Sequence, residues 1–371
     1  MTTSKQVQIK PETPLKILVF GAGAIGCFVG GTLASAGHQV SLVGRKRLMQ
    51  KIEFEGLTIQ HPNQPIRHCR PATLTTLEGV SEPFDLILLT VKSPSVPALI
   101  EQLLQSSLDI SQTRLVSLQN GVGSVDYLLA AFGSERIIAA TITIPIQVTE
   151  PGAILVSKAK GGLGVAETGA LGQITGVTAT HLAKNLNQAG LVTQLYDDHR
   201  AMKWSKLLLN IINNATSAIL DQHPADLISN PDMFDLEISA LQEGLAVMQA
   251  MQLQPVSLPS YPVEWLARLL RVPLPNMARR TILRPFLIGG RGKKMPSLHI
   301  DLAAGRDISE VESLNGAIVR AGQEKRIPTP VNQALTQLLG GIVRGELSWD
   351  DYKNRPDLLL AAVQDHKRNT G

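Results

Sequence analysis

The chain has little cysteine, with only Cys27 and Cys69 among 371 residues. Two thiols cannot build a disulfide framework, and neither stands in a CxxC or Cys/His pairing with zinc spacing. No metal site is therefore expected, and a reducing cytoplasm is the expected home. Aromatic residues are scarce at 4%, and the three Trp and four Tyr are not interleaved with basic runs. A base-stacking surface needs that interleaving, so nucleic acid is not expected as a partner. Charge of one sign is lacking too, since 35 basic against 31 acidic residues leave a formal +4. Such a balance helps to attract small anions without demanding a polyanion. No charge-free apolar run reaches the roughly 18 to 20 residues of a bilayer span. The opening fourteen residues form a polar tail without a signal-peptide core. Neither secretion nor membrane spanning is expected.

Apolar residues, by contrast, are plentiful at 44%, against 18% charged. That composition belongs to a globular protein, and the length favours two domains of about 150 to 200 residues. LKILVF (Leu15 to Phe20) reads as a strand covered on both faces and ends directly in glycines. The small, apolar, proline-free stretch from Ala24 to Ala36 reads as a helix closing at Gly37, followed by a strand from His38 to Val43. Phe84 to Val91, Thr113 to Leu118 and Arg136 to Thr143 repeat the strand signature at spacings that leave room for helices. Strand and helix alternating in this way predict an α/β fold, an N-terminal Rossmann-type doubly wound parallel sheet. From about Asp198 the texture becomes helical, with helices expected over Asp198 to Leu220, Met233 to Met251, Ser309 to Gln323 and Pro330 to Val343. A C-terminal all-helical domain follows from it, while the Pro- and Arg-rich stretch 252 to 296 carries no clear pattern.

The turn after the first strand is Gly21-Ala22-Gly23-Ala24-Ile25-Gly26, a GxGxxG motif between a buried strand and a helix. The motif alone is weak, but in that context its glycines permit a tight turn, approach of a pyrophosphate and close helix packing. The helix N-terminus then offers unpaired N–H groups to phosphates. An NAD site carries Asp or Glu about 20 residues on, where it accepts from the ribose 2′-hydroxyl. Here the second strand runs instead into Gly44-Arg45-Lys46-Arg47. Cations without a carboxylate fit a 2′-phosphate, with Arg45 able to form a bidentate fork, so NADP(H) is the expected cofactor. Lys46 and Arg47 are equally well read as solvated loop residues. Lys92, after the strand ending at Val91, is suited to a cofactor phosphate or a substrate carboxylate. Asn120, in Gln119-Asn-Gly-Val-Gly123, is suited to a carbonyl or to the nicotinamide ribose.

In the stretch from Lys203 to Ser217, helical geometry at roughly 100° per residue brings Lys206, Asn210, Asn213, Asn214 and Ser217 into one arc of about 100°. Trp204, Leu207, Leu208, Leu209, Ile211, Ile212 and Ala215 surround that polar stripe, so the helix should be buried. Buried amides and an ammonium need partners, which a polar ligand in a cavity would supply.

GAGAIG, VKS at Lys92, QNGVG at Asn120, KWSKLLLNIINN, PSLHIDLAAGR and SEVESLNG occur in one order along residues 15 to 343. In this the chain resembles the ketopantoate reductase (2-dehydropantoate 2-reductase) family. The resemblance implies that Lys206 is the general acid and that Asn210 and Asn214 hold the substrate's hydroxyl region. It further implies that Ser297 contacts the substrate carboxylate, and that Glu310 binds substrate and orients the lysine. The implied organisation is a polar tail over 1–14, an NADP-binding Rossmann domain over 15–196 and a helical substrate domain over 197–371. The implied reaction is NADPH-dependent reduction of 2-dehydropantoate to (R)-pantoate, serving pantothenate and coenzyme A formation. The partner is then a small 2-oxo acid, and a homodimer is an assembly this reading admits. Another 2-oxo acid or an imine as substrate, or an NADP sensor without turnover, are the competing readings. A sensor has no use for a proton donor, so Lys206, Asn210 and Glu310 together disfavour it.

Overall fold

The computed structural model describes residues 13–170, 172, 176–288 and 295–370; most of the polar tail lies outside them. The chain divides into two compact units. The first runs to Gln119, resumes over Ser124–His199 and takes in Leu258–Tyr261. The second comprises Asn120–Gly123, Arg200–Ser257 and the chain from Pro262 onward.

The strands of the first unit are β1 (Lys16–Phe20), β2 (Gln39–Val43), β3 (Leu57–Gln60), β4 (Arg67–Cys69), β5 (Ala72–Leu74) and β6 (Leu86–Leu89). They continue with β7 (Arg114–Ser117), β8 (Ile137–Ile142), β9 (Ile146–Glu150), β10 (Ala153–Val156), β11 (Leu163–Glu167) and β12 (Thr193–Leu195). Helices α1 (Ala24–Ser35), α2 (Lys46–Glu55), α3 (Val96–Gln105), α4 (Ser124–Phe132) and α5 (Ala179–Gln188) connect them. The main sheet has the order β12-β11-β8-β7-β6-β1-β2-β5. From β5 to β8 every pairing is parallel, the doubly wound arrangement expected of the alternating pattern. The far edge departs from that expectation, because β11 runs antiparallel to β8 and β12 follows β11. The connection from β8 to β11 passes through β9 and β10 and holds no crossover helix, whereas α5 makes the crossover that the parallel pair β11 and β12 requires.

A second sheet, β4-β3-β10-β9, was not legible in the sequence. It explains why α1 is so small and apolar. A Cβ on Gly30 would press on Leu42 and Val19 of the main sheet, and one on Gly31 would press on Leu57 and Ile59 of the second. The helix lies between two sheets and has no polar face to show. At the start of β7 the buried Arg114 donates to the carbonyls of Arg136, Val177 and Ile137 and pairs with Glu167. Glu167 in turn accepts from the Ala179 amide at the head of α5, so the charge is paired and hydrogen-bonded, as burial requires.

The second unit is helical: α6 (His199–Ile211), α7 (Asn214–Leu220), α8 (Pro224–Ser229), α9 (Pro231–Ala250), α10 (Val263–Arg271) and α11 (Asn276–Ile288) come first. Then follow α12 (Ser297–Ala303), a 3₁₀ turn (Glu310–Ser313), α13 (Asn315–Lys325), α14 (Pro330–Val343), α15 (Trp349–Tyr352) and α16 (Pro356–Thr370). Glu243 of α9 accepts from the first amides of α14, at Val331 and Asn332, and locks these two helices together. The tail beyond Val343 packs α16 on α14 through the buried Leu359 and Val363. The Pro- and Arg-rich stretch supplies α10 and α11, with residues 289–294 outside the described set.

Two expected helices are broken. The span Asp198 to Leu220 is interrupted at Asn213, which takes a left-handed φ of 52°. Its amide turns to the Glu237 carboxylate and its side chain donates to the Leu287 carbonyl, so tertiary acceptors take over from the helix ladder. The single polar stripe from Lys206 to Ser217 therefore does not exist as one helical face. The span Ser309 to Gln323 divides at Leu314, where φ −106° and ψ −100° separate the 3₁₀ turn from α13.

Candidate active site

The strand order of the main sheet reverses between β1 and β6, the point where doubly wound sheets bind ligands beyond their strand ends. The glycine turn stands there. Gly21 has φ +115°, and a Cβ on it would strike the Val91 amide 2.7 Å away. Thr90, directly after β6, ties the turn down by donating its hydroxyl to the Gly21 carbonyl at 2.7 Å. Gly26 admits no side chain because a Cβ would collide with the Gly21 carbonyl oxygen. Gly23, by contrast, has nothing within 4 Å of where its Cβ would be, and no side chain caps α1, which carries no acid in its first turn. Two crowded glycines, one facing open space and an uncapped helix start with Ala22, Ala24 and Ile25 between them make a cradle that fits a pyrophosphate.

Gly44 follows β2, packed against Ala22, and the next residue, Arg45, caps α2. Arg45, Lys46 and Arg47 are all exposed, and among the described residues none forms an ion pair with a carboxylate. Lys92 is half-buried at the start of the 3₁₀ turn Ser93–Ser95, after β6.

On the second unit, α6 buries Met202, Trp204, Leu207, Leu208 and Ile211, leaving Lys206 and Asn210 half-exposed one turn apart on the same side. The Asn210 Nδ2 reaches Asn120 Oδ1 at 3.5 Å. Asn120 begins the short loop to Gly123, and that loop is seated on the 3₁₀ turn containing Glu310. The Val122 amide donates to the Ser313 carbonyl at 3.2 Å, and a Cβ on Gly121, with φ +77°, would collide with the same oxygen. Beyond the break, Asn214 is buried and its Nδ2 donates to the Asn210 carbonyl at 3.0 Å. The same carboxamide approaches Ser297 Oγ at 3.4 Å and accepts from the Leu298 amide at 3.1 Å. Ser297, exposed at the first position of α12, is thereby joined to Asn210.

Glu310 is 7% exposed, whereas Glu312 is open to solvent and pairs with Arg320. Ser309 caps the turn by accepting from the Val311 amide, and the Ser313 hydroxyl returns to the Glu310 carbonyl. Both acids stand in the first turn of this 3₁₀ helix, where a carboxylate complements the backbone dipoles. One titratable group here escaped the sequence reading: Lys203, buried on α6, has its pKa lowered from 10.5 to about 7 by burial. Its position four and eight residues before the buried Leu207 and Ile211 was the available signal. Glu237, buried between Met233, Phe234, Ala240 and Leu241 at helical spacing, was legible in the same way. Among the described residues no helix is long and apolar enough to cross a membrane, and no His, Cys, Asp and Glu group could hold a metal ion.

A glycine turn at the switch point of a parallel sheet, with a separate helical unit carrying lysine, amides and a buried carboxylate, defines an oxidoreductase of Rossmann type. The sequence profile described as ketopantoate reductase PanE/ApbA matches residues 17–173, and that of its C-terminal domain matches 198–343. The chain belongs to the ketopantoate reductase family. It is 27% identical to the 2-dehydropantoate 2-reductase of Halobacterium salinarum, over 88% of this chain and 98% of that one. The crystal structure of a PanE/ApbA family ketopantoate reductase from Ralstonia eutropha JMP134 is similar with a TM-score of 0.73 and 28% identity, covering 90% of this chain and 99% of that one. D-mandelate dehydrogenase, solved with NADH and anilino(oxo)acetate, shares the fold with a TM-score of 0.73 at 22% identity, over 89% and 99% of the two chains.

Proposed function

We propose that the protein reduces 2-dehydropantoate to (R)-pantoate with NADPH. The observation that carries this reading is the contact chain from Asn210 through Asn120 to the Glu310 turn, and through Asn214 to Ser297. It gathers one turn from Lys206 the residue types that a 2-oxo acid requires. The family, and relatives named 2-dehydropantoate 2-reductase, support the same substrate.

The turn Gly21 to Gly26 would hold the cofactor pyrophosphate and Arg45 its 2′-phosphate. When bound, NADPH supplies the hydride that makes the oxo carbon a carbinol carbon. As the carbonyl π bond breaks, its oxygen gains the electron pair, and Lys206 delivers the proton that forms the new O–H bond. Asn210 and Asn214 hold the hydroxyl region of the substrate, and the Ser297 hydroxyl donates to the carboxylate. Glu310 orients the Lys206 ammonium and binds the substrate. Asn120 steadies the loop between Asn210 and the Glu310 turn, and Lys92 offers a cation to a phosphate or carboxylate.

The test is NADPH oxidation by the purified chain over a panel of 2-oxo acids and an imine, repeated with NADH. Fastest turnover per KM with 2-dehydropantoate and NADPH is expected. A higher kcat/KM for another 2-oxo acid, or no turnover at all, overturns the assignment.

A further inference from the structure

Glu237 lies in the middle of α9 and is 1% exposed among apolar neighbours. A carboxylate closed off from bulk solvent to this degree must be met by hydrogen-bond donors. It accepts the Asn213 amide at 2.8 Å and the Thr216 hydroxyl at 2.5 Å. In an unbroken helix the Asn213 amide would donate to the carbonyl four residues back. Glu237 replaces that carbonyl as acceptor, and Asn213 swings into its left-handed conformation. From the other side the Asn213 carboxamide, itself fully buried, donates to the Leu287 carbonyl in the last turn of α11 at 2.7 Å. The turn is thus gripped by two elements, α9 and α11, neither of which carries a residue of the proposed substrate cluster.

The next residue is Asn214, whose carboxamide spans the Asn210 carbonyl, Ser297 Oγ and the Leu298 amide. Where Asn213 is pinned decides where Asn214 presents that carboxamide. We infer that Glu237, acting through the left-handed turn at Asn213, is a positioning residue for the 2-oxo acid site and sets the spacing of Lys206 and Asn210 on α6 from Ser297 on α12. The inference rests on the proposed function of that site. The geometry it invokes is independent of any turnover.

Glu237→Ala removes the acceptor, Glu237→Gln keeps a carbonyl oxygen for the Asn213 amide, and Thr216→Val removes one donor only. Leu359→Ala in α16 serves as a control for lost core packing. Glu237→Ala is expected to raise KM for 2-dehydropantoate about tenfold or more while KM for NADPH stays within about twofold, and Glu237→Gln to restore the first to within about threefold. Leu359→Ala should lower Tm and move neither constant. Crystal structures of the unaltered protein and of Glu237→Ala should show the Asn214 contacts to Ser297 and Leu298 lost in the variant. If Glu237→Ala does not fold, Thr216→Val is read in the same way, with a rise of about threefold expected. Unchanged KM for the oxo acid in a folded variant, or Asn214 contacts retained in its crystal structure, overturns the inference. An unaltered protein that turns over no 2-oxo acid instead sinks the proposed function, and the pair of crystal structures still decides whether Glu237 positions Asn214.

Discussion

On the proposed function, Lys206 and Glu310 make opposite demands on a variant series, because there one is needed only as the proton moves and the other throughout substrate binding. Lys206→Ala should lower kcat by about 10² to 10⁴ while NADPH affinity, measured by fluorescence titration, stays nearly constant. Near-normal turnover would remove lysine from the reaction. Glu310→Ala should cost more than about tenfold in kcat/KM, since the carboxylate is buried in a capped turn. A dipole acid would instead give up about 0.3 to 1 kcal/mol of stability and leave the kinetics alone, so a melting curve beside the rate data separates the two. On the same proposal, Arg45 belongs to cofactor choice. It stands exposed where an NAD site has a carboxylate, and Arg45→Ala should shrink the preference for NADPH over NADH by about tenfold or more. Equal kcat/KM for both cofactors in the unaltered protein would end that assignment.

Among elements, the loop Asn120–Gly123 joins parts distant in sequence, and its fit depends on Gly121. A methyl group there meets the Ser313 carbonyl, and the backbone conformation, φ +77°, disfavours any side chain. Gly121→Ala should therefore lower stability by about 1 to 3 kcal/mol and raise KM for the oxo acid by displacing Asn120 from Asn210. A Tm and KM both equal to those of the unaltered protein would show that the loop yields at no cost. The glycine turn at Gly21 was legible because its chemistry is local. The loop's seat on the Glu310 turn was not, since nothing in Gly121-Val-Gly123 names Ser313 as its neighbour. The same holds for the helix break, because Asn213 departs from helix under acceptors contributed by Glu237 and Leu287.

Taken over the whole molecule, the burial of Lys203 makes stability depend on pH in a definite sense. Its amine titrates at about 7 in the folded chain against an ordinary 10.5, because burial disfavours the charged form. Between those values the unfolded chain holds a proton that the folded chain lacks, so this group's contribution to stability rises with pH across the window. Its cost is fully present below the folded value and vanishes above the unfolded one. The stability of Lys203→Met relative to the unaltered protein should therefore fall by an amount on the order of a few kcal/mol between pH 7 and pH 10. An equal difference in Tm between the two proteins at both pH values would show that the charge is not what the core resists.

The alternation of strands and helices, the glycine turn, the cations that follow β2 and membership of the family were legible in the residues alone, because each is written in neighbouring residues or short periods. The polar residues of KWSKLLLNIINN could be counted there, but their arrangement could not. Tertiary structure alone decided the second sheet that encloses α1, the reversed edge of the main sheet, the break at Asn213 and the joining of Asn120, Asn210, Asn214 and Ser297. Each of these is a competition between local hydrogen bonds and acceptors supplied from far along the chain, and the winner is fixed only when the core has closed around them.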